Sequence, residues 1–361
     1  MINFTKLYDL LINTNARMQR VFLGGKSRLP IHVSIELNFA CNLKCAMCYH
    51  INDLYRKEAL YYDDIAKILP RLPKNILLSF TGGEPLLNKD ILKILEHAKR
   101  FYNFTVTTNG ILLTPDKTNL LLGLASRGLF SKGLFEIGVS FQGAPQAYKE
   151  IAGDDAVYYR VMENLKYLMA ERKKRSLKYP LVDLRLTVQK GNADYLLQAY
   201  DTARELGVTH CNFAIMDTWK IYNRQSKDYD GIKHKSPGPI QDIDADKLED
   251  NLHKLKTQER KYKTPAVRFT PSGISVKEFA DYYRNKQDLK KFDCSALWSN
   301  VLISPSAEVV ICRDMVLGNI LKDNASLSDI INSEGAVALR KEIARDGLLH
   351  MCKGCCALEQ R

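Results

Sequence analysis

Short runs of β-branched and apolar residues alternate with longer amphipathic stretches through the first 217 residues. This alternation predicts repeated strand–helix units. We expect strands at 31–38, 76–80, 104–108, 135–141, 182–188 and 210–216, and helices at 63–71, 89–102, 115–127, 155–172 and 193–206. Thr114 followed by Pro115 is a helix start signal, because proline is favoured in the first turn. Six strands joined by crossovers favour a parallel, right-handed arrangement, either an open sheet or a partial barrel.

The pattern changes twice in the last third of the chain. From about residue 218 it becomes polar and charged, and after 290 the segment LWSNVLISPSAEVVICRD predicts a hairpin. The predicted organisation is a helical extension (1–29), a barrel core (30–217), a charged insertion or linker (218–290) and a small C-terminal α+β domain (291–361).

Composition and charge narrow the class of protein. The chain has 361 residues and a net charge of +12, with no run apolar enough to span a bilayer. Asp9 and Arg17 interrupt the N-terminal apolar stretch, which is unlike a signal peptide, so we expect a cytoplasmic protein. The basic charge favours acidic partners. Because lysine and arginine are spread along the chain, we do not expect a nucleic-acid binder.

Cysteine placement is the most informative part of the composition. Nine cysteines are present, three near the start and five after residue 290, with Cys211 isolated between them. A reducing compartment disfavours disulfides, so clustered thiols indicate metal or iron–sulfur ligation. Cys211 is expected in the core.

The first cysteine group follows the first predicted strand, as Cys41-x3-Cys45-x2-Cys48. Three thiolates on a four-iron core leave one iron without a protein ligand, which is a binding site for a chelating substrate. The alternative is a structural zinc site that takes His50 as its fourth ligand.

Three further elements stand at predicted strand ends: Thr81–Pro85 with two glycines and Glu84, Thr108–Gly110, and Ser140–Gly143. Active-site groups of barrels and open sheets collect at the carboxyl ends of parallel strands. The glycines are expected to permit close backbone approach to a ligand, and Glu84 can accept a hydrogen bond from an ammonium group.

Together these motifs resemble those of the radical S-adenosylmethionine (SAM) superfamily over about residues 30–217, with Gln142 where the family usually has aspartate. The resemblance implies a partial (β/α)6 TIM-like barrel. It also implies a [4Fe-4S] cluster bound by Cys41, Cys45 and Cys48, which reductively cleaves SAM to a 5′-deoxyadenosyl radical.

The resemblance further implies a set of SAM-binding residues. The amine of SAM would bind at Glu84, beside Gly82 and Gly83. Its ribose and carboxylate would bind Ser140 and Arg160, Asn109 would be a weaker candidate for the same task, and the residues at Tyr49 and His50 would contact adenine through the backbone. A surface ion pair is the alternative for Arg160.

The C-terminal cysteines form a second group, Cys294, Cys312, Cys352 and Cys355. Their spacing alone suits a zinc ribbon or a fully ligated cluster. The stretch is similar to the SPASM/twitch extension. Because only five cysteines follow residue 290, the four-ligand twitch form with one auxiliary [4Fe-4S] cluster is expected, giving a small α+β twitch-type cluster domain. Cys356 would either replace Cys355 as ligand or pack as a small apolar residue.

The substrate is the least constrained expectation. The twitch form resembles that of 2-deoxy-scyllo-inosamine dehydrogenase, which favours oxidation of a small polar molecule such as a sugar or cyclitol, with the auxiliary cluster as electron acceptor. Residues 1–30 are too few for a leader-recognition domain, so peptide modification is the alternative. We expect less similarity to the molybdenum-cofactor cyclases, because LEQR replaces their terminal glycines.

The remaining expectations concern catalysis and partners. Asp217 is a weak candidate for a catalytic acid or base, with a helix cap or loop salt bridge as its alternative. An acidic flavodoxin or ferredoxin is the expected electron donor. A non-catalytic zinc-binding module is the distant alternative, and such a module has no use for the glycine–glutamate element.

Overall fold

Parallel strands alternate with helices through most of the protein. The computed structural model describes residues 14, 16, 18–28, 30–128, 131–219, 240, 242–312 and 315–361. The strands are β1 His32–Glu36, β2 Leu77–Thr81, β3 Asn103–Thr108, β4 Gly133–Ser140, β5 Leu181–Thr187, β6 His210–Ala214 and β7 Ala266–Thr270. The helices are α1 Tyr62–Ile68, α2 Ile91–Lys99, α3 Pro115–Gly123, α4 Pro145–Ala152, α5 Ala156–Lys174, α6 Leu196–Leu206, α7 Ala245–Tyr262 and α8 Val276–Tyr283.

The C-terminal region is built from short strands and helices. The strands are β8 Phe292–Asp293, β9 Asn300–Ile303, β10 Glu308–Ile311, β11 Met315–Asn319 and β12 Glu359–Gln360. The helices are α9 Ala296–Ser299, α10 Leu327–Ile331 and α11 Glu334–Asp346.

Within the described residues, ten strands form one sheet in the order β11-β10-β9-β1-β2-β3-β4-β5-β6-β7. Strands β1 to β7 pair in parallel, and β9 pairs in parallel with β1, while β9, β10 and β11 pair antiparallel. The two outer strands, β7 and β11, do not pair with each other, so the sheet stays open. The predicted partial TIM-like barrel with an added C-terminal segment is therefore confirmed.

The six predicted strands and five predicted helices are all present, with ends shifted by a few residues. Thr114 occupies the predicted N-cap and Pro115 the first helical position, although the Thr114 side chain makes no capping hydrogen bond. The predicted hairpin is β9–β10. Helix α4 and strand β7 were not predicted. Strand β7 is short, and Arg268 interrupts its apolar run.

Helix α7 lies within the segment expected to be an insertion or linker. Leu248, Leu252 and Leu255 are buried along one of its faces, and the helix packs on α6, α8 and β7. That face supplies the apolar stripe of a helix that covers a sheet. The polar stretch at 220–239, together with residue 241, lies outside the described residues, and the domain boundaries remain a proposal.

Residues near the N-terminus contact the C-terminal region. Arg20 pairs with Asp293 at 2.7 Å, and Ser27 donates a hydrogen bond to the carbonyl of Trp298 at 2.9 Å. In the part of the chain that the structure describes, no helix is both long and apolar enough to cross a membrane.

Candidate active site

The first cysteine group lies in the loop after β1, at the carboxyl ends of the parallel strands. The N–H of Cys48 donates to the carbonyl of Cys45 at 2.9 Å, which folds this part of the loop into a turn. The sulfur of Cys41 accepts from the N–H of Leu43 at 3.4 Å and from Nδ2 of Asn109 at 3.7 Å. Asn109, just after β3, thus holds the loop over the neighbouring strands.

The electrostatics of these thiols fit a bound cluster. Burial, followed by the nearby Cys48 and Cys41, raises the pKa of Cys45 to about 12. Burial also raises the pKa of Cys41. Three thiolates this close together need a positive charge nearby. A coordinated metal supplies that charge and keeps the bound thiols deprotonated.

The geometry of the thiols differs from that of a single-ion site. Among the described residues, no three His, Cys, Asp or Glu side chains converge tightly enough to hold one metal ion. In a four-iron cluster each thiolate binds a different iron, so the sulfur atoms stand further apart than around one zinc ion.

The two glycines after β2 allow close backbone packing against the segment that leads into the cysteine loop. A Cβ at Gly83 would lie 2.3 Å from the carbonyl oxygen of Ala40, and one at Gly82 would lie 2.6 Å from that of Asn38. The N–H of Gly83 donates to Asn38 at 2.7 Å and that of Glu84 donates to Ala40 at 2.8 Å. The close approach is therefore to protein backbone, and direct binding of SAM by Gly82 and Gly83 stays a prediction.

Glu84 is fully buried and bridges two strand ends. Its Oε1 accepts from the N–H of Leu86 at 3.0 Å and from the hydroxyl of Thr108 at 2.8 Å, and its Oε2 accepts from the N–H of Asn109 at 2.8 Å. Burial raises the pKa of Glu84, and these three donors oppose that rise. Because a carboxylate oxygen accepts two hydrogen bonds, Oε2 retains capacity for an amine.

The other predicted SAM-binding residues are dispersed. Ser140 is half-buried at the end of β4. Arg160 is exposed on α5, beside a surface groove of about 490 Å³ that Asp154 and Ile111 also line. Ile111 follows the loop of Asn109, so this groove reaches the same end of the barrel. The roles of both residues stay predictions.

The second cysteine group brings together three distant parts of the sequence, around Cys294, Cys312 and the Cys352–Cys355 pair. Burial raises the pKa of Cys294, and Cys355 and Cys352 raise it further, which shows that the three thiols are neighbours. Cys352 is buried, Cys355 is partly buried and Cys356 is exposed.

A cavity of about 300 Å³ connects the barrel mouth with the second cysteine group. From the barrel, Tyr49 and Asp217 line it; the cysteines that line it are Cys294, Cys312, Cys355 and Cys356. Asp217 is half-buried there, which places the weak candidate for proton transfer in a position to meet a ligand.

Glu36, at the end of β1, also lines the cavity and was not predicted. Its Oε1 accepts from the hydroxyl of Tyr49 at 3.0 Å and lies 2.9 Å from Nε2 of His50. The side chains of Glu36 and His50 are almost fully buried. Nε2 of His50 is therefore engaged with a carboxylate, and the alternative role of His50 as a zinc ligand stays a prediction. An acidic residue in the apolar run HVSIE was the available signal.

The inner face of the barrel carries a second set of residues that sequence reasoning missed. Arg185 donates to Glu136 at 2.6 Å and to Asp183 at 2.9 Å, while Nη2 of Arg268 lies 2.7 Å from Nε2 of His210. The signal was present in VDLRLT, where polar and apolar residues alternate. The barrel interior is thus polar, whereas a complete TIM barrel is filled by branched apolar side chains.

Comparison with known families agrees with this geometry. Residues 35–183 match the radical SAM superfamily, and residues 294–356 match the SPASM iron–sulfur cluster-binding domain. The chain therefore belongs to the radical SAM superfamily and carries a C-terminal SPASM domain. The radical SAM domain implies a [4Fe-4S] cluster and SAM as cofactors, and the SPASM domain implies auxiliary iron–sulfur clusters.

Curated relatives differ in their reactions. The chain is 24% identical over 256 residues to a probable GTP 3′,8-cyclase of Saccharolobus islandicus, covering 69% of this chain and 73% of that protein. It is 28% identical over 144 residues to the PqqA peptide cyclase of Bradyrhizobium diazoefficiens, covering 38% of this chain and 36% of that protein. The second match thus spans about a third of the relative.

Solved structures share the fold at low identity. Streptococcus suis SuiB bound to S-adenosylmethionine aligns with a TM-score of 0.63 and 17% identity, covering 97% of this chain and 78% of SuiB. The enzyme anSMEcpe with bound AdoMet aligns with a TM-score of 0.59 and 14% identity, covering 92% of this chain and 93% of that one. SuiB has also been solved with its precursor peptide SuiA.

Proposed function

We propose that this protein is a peptide-modifying radical SAM enzyme that removes hydrogen from a residue of its substrate. The observation that carries the proposal is the cavity that joins the barrel mouth to the C-terminal cysteines. A substrate residue in that cavity meets Glu36, Tyr49 and Asp217 on one side and the second cysteine group on the other.

The site residues would divide the work as follows. Cys41, Cys45 and Cys48 would hold the first cluster, and Glu84 would receive the amine of SAM with its remaining acceptor capacity. When bound, cluster and SAM supply a 5′-deoxyadenosyl radical that takes a hydrogen atom from the substrate. An auxiliary cluster would be held by Cys294, Cys312, Cys352 and Cys355, and it would serve as the electron acceptor.

An oxidation that removes two hydrogens also needs a group to accept a proton. Asp217 and Glu36 are the carboxylates that line the cavity. Tyr49 and His50 hold Glu36 in place, so we assign the proton-accepting role to Asp217, which is half-buried and nearer to water.

One observation supports a peptide over the small polar substrate that the sequence favoured. Relatives in sequence and fold include a peptide cyclase and a protein solved with a precursor peptide. An acidic flavodoxin or ferredoxin as electron donor and a cytoplasmic location remain predictions, based on the +12 charge and the cysteine usage.

The test uses anaerobically reconstituted protein with SAM and dithionite. We expect about eight iron atoms per chain, two four-iron clusters, and formation of 5′-deoxyadenosine. A library of synthetic peptides is then compared with 2-deoxy-scyllo-inosamine as the small polar probe. We expect faster 5′-deoxyadenosine formation with some peptides, and mass spectra showing loss of two hydrogen atoms from them.

The matched control is Cys45→Ser, which should abolish 5′-deoxyadenosine formation. Turnover of the cyclitol but of no peptide would restore the small-molecule alternative. Bound zinc with untouched SAM would contradict the enzyme assignment altogether.

A further inference from the structure

We infer that Arg185, inside the barrel, binds a carboxylate of the substrate, which makes an acidic residue of a peptide the group held at this position. That the ligand is a peptide rests on the proposed function. That Arg185 binds a carboxylate rests only on the residues of the barrel interior.

In the barrel interior, the arginine side chains are more exposed than the carboxylates that they contact. The side chains of Asp183 and Glu136 are 1% and 9% exposed, whereas those of Arg185 and Arg268 are 34% and 22% exposed. The carboxylates therefore lie beneath the guanidinium groups, and the surface offered to a ligand is made of donors.

Arg185 has more N–H donors than its contacts with the described residues use. Its Nε donates to Asp183 at 2.9 Å, Nη1 to the hydroxyl of Thr107 at 3.0 Å and Nη2 to Glu136 at 2.6 Å. A guanidinium has five N–H groups, so within the described residues two of them are left for a ligand. A planar fork with two donors matches a carboxylate.

The neighbouring strand β4 fixes the position of the Arg185 guanidinium. A Cβ at Gly138 on β4 would lie 2.6 Å from Cζ of Arg185. The missing side chain therefore lets the guanidinium lie against the strand, held from three sides. A group fixed in this way loses little entropy when it binds a ligand.

The surrounding charges are balanced, which limits the charge of a ligand that can bind here. Burial, followed by the nearby arginines, lowers the pKa of His32 and of His210 to about 4, so neither is a cation at neutral pH. Two arginines thus face two carboxylates, and the network has no excess charge to balance a polyanion. Burial raises the pKa of Asp183 to about 6, so a bound carboxylate could be accommodated by proton uptake there.

The probes are the blocked tripeptides acetyl-Gly-Glu-Gly-amide and acetyl-Gly-Gln-Gly-amide, which differ in charge but hardly in shape. Binding to the reconstituted, SAM-loaded protein is measured by saturation-transfer NMR titration. We expect the glutamate peptide to bind about tenfold more tightly than the glutamine peptide, the range of a charge-assisted pair.

The variants separate binding from folding. Arg185→Gln combined with Glu136→Gln removes one charge of each sign and is expected to abolish the preference. Arg185→Lys keeps the positive charge but loses the planar pair of donors, so this variant should retain part of the preference for the glutamate peptide. The control, Arg127→Gln, changes an exposed arginine in the loop between α3 and β4 and should retain the full preference.

Three outcomes would overturn the inference. The two peptides could bind equally well, the glutamate peptide could fail to bind at about 10 mM, or the preference could survive in the paired variant. Tighter binding of GTP than of the glutamate peptide would do the same. Failure of the proposed function is seen separately, because it removes 5′-deoxyadenosine formation and leaves peptide binding as it is.

Discussion

Glu84 shows how burial changes the task of one carboxylate. Placed at a strand end by the sequence, it was expected to face the amine of SAM. In the structure it is fully buried and accepts from Leu86, Thr108 and Asn109. Its three donors connect the ends of β2 and β3, so Glu84 also fixes the loop of Asn109 that contacts Cys41. A single residue therefore links the glycine element to the cysteine loop.

The position and exposure of single cysteines also indicate which C-terminal thiols bind iron. Cys355 and Cys352 lie close to Cys294, whereas Cys356 is exposed. We expect Cys356→Ser to keep the iron content of the reconstituted protein and Cys355→Ser to lose about four iron atoms per chain, one cluster. Iron and sulfide assays on both variants test this, and an equal loss in Cys356→Ser would make that residue the ligand.

At the scale of elements, the loop after β1 and the turn after β2 form one unit. Gly83 and Glu84 donate to the backbone of Asn38 and Ala40, and the glycines leave no room for a side chain between them. The geometry of the cysteine loop is therefore set by a neighbouring strand. The cysteine loop and the glycine–glutamate turn, which are separate in the sequence, therefore form one packed unit in the structure.

Gly83→Ala tests that support. The added Cβ would press on the carbonyls of Phe39 and Ala40, so we expect a loss of about 1–3 kcal/mol in the free energy of unfolding, the usual range for overpacking. Iron bound at the first site should fall as well. Urea unfolding and iron assays measure both effects.

The matched control is Gly123→Ala, whose Cβ would meet nothing within 4 Å. Since alanine is the better helix former, this variant should be unchanged or slightly more stable. Equal stability of the two variants would show that the loop and turn are not tightly coupled.

At the scale of the whole molecule, the C-terminal segment completes the barrel sheet on one side. Strand β9 pairs in parallel with β1, with His32 opposite Asn300 and Ile35 opposite Ile303. The first cysteine group follows β1, and Cys294 and Cys312 flank the β9–β10 hairpin, so both groups are attached to neighbouring strands of one sheet. The cavity reaches Tyr49, next to the first group, and the C-terminal cysteines. Loss of the C-terminal cluster is expected to destabilise the sheet where β9 pairs with β1 and to have little effect on the other barrel strands.

The paired variant Cys294→Ser with Cys312→Ser tests this expectation. Hydrogen exchange should become faster in β9 to β11 and in β1, while β3 to β5 stay protected, because local stability follows local contacts. SAM cleavage should continue at a reduced rate while the peptide product is lost. Cys356→Ser is the control, and loss of protection throughout the barrel would contradict a local effect.

Much of this protein could be read from local sequence. Alternating apolar positions located the first six strands, and the spacing of Cys41, Cys45 and Cys48 identified the first site, since both depend on residues close together in the chain. Charge and composition likewise needed no structure.

The tertiary structure decided which distant side chains meet. Arg185 and Glu136 are 49 residues apart yet form an ion pair, because parallel pairing places β4 beside β5. Cys294 and Asp217 share a cavity only because β9 pairs with β1. Inward-facing polar positions look like ordinary strand alternation until the sheet curls and places them around one lumen. The chemistry of the barrel interior is therefore a property of the curled, open sheet as a whole, which no single segment contains.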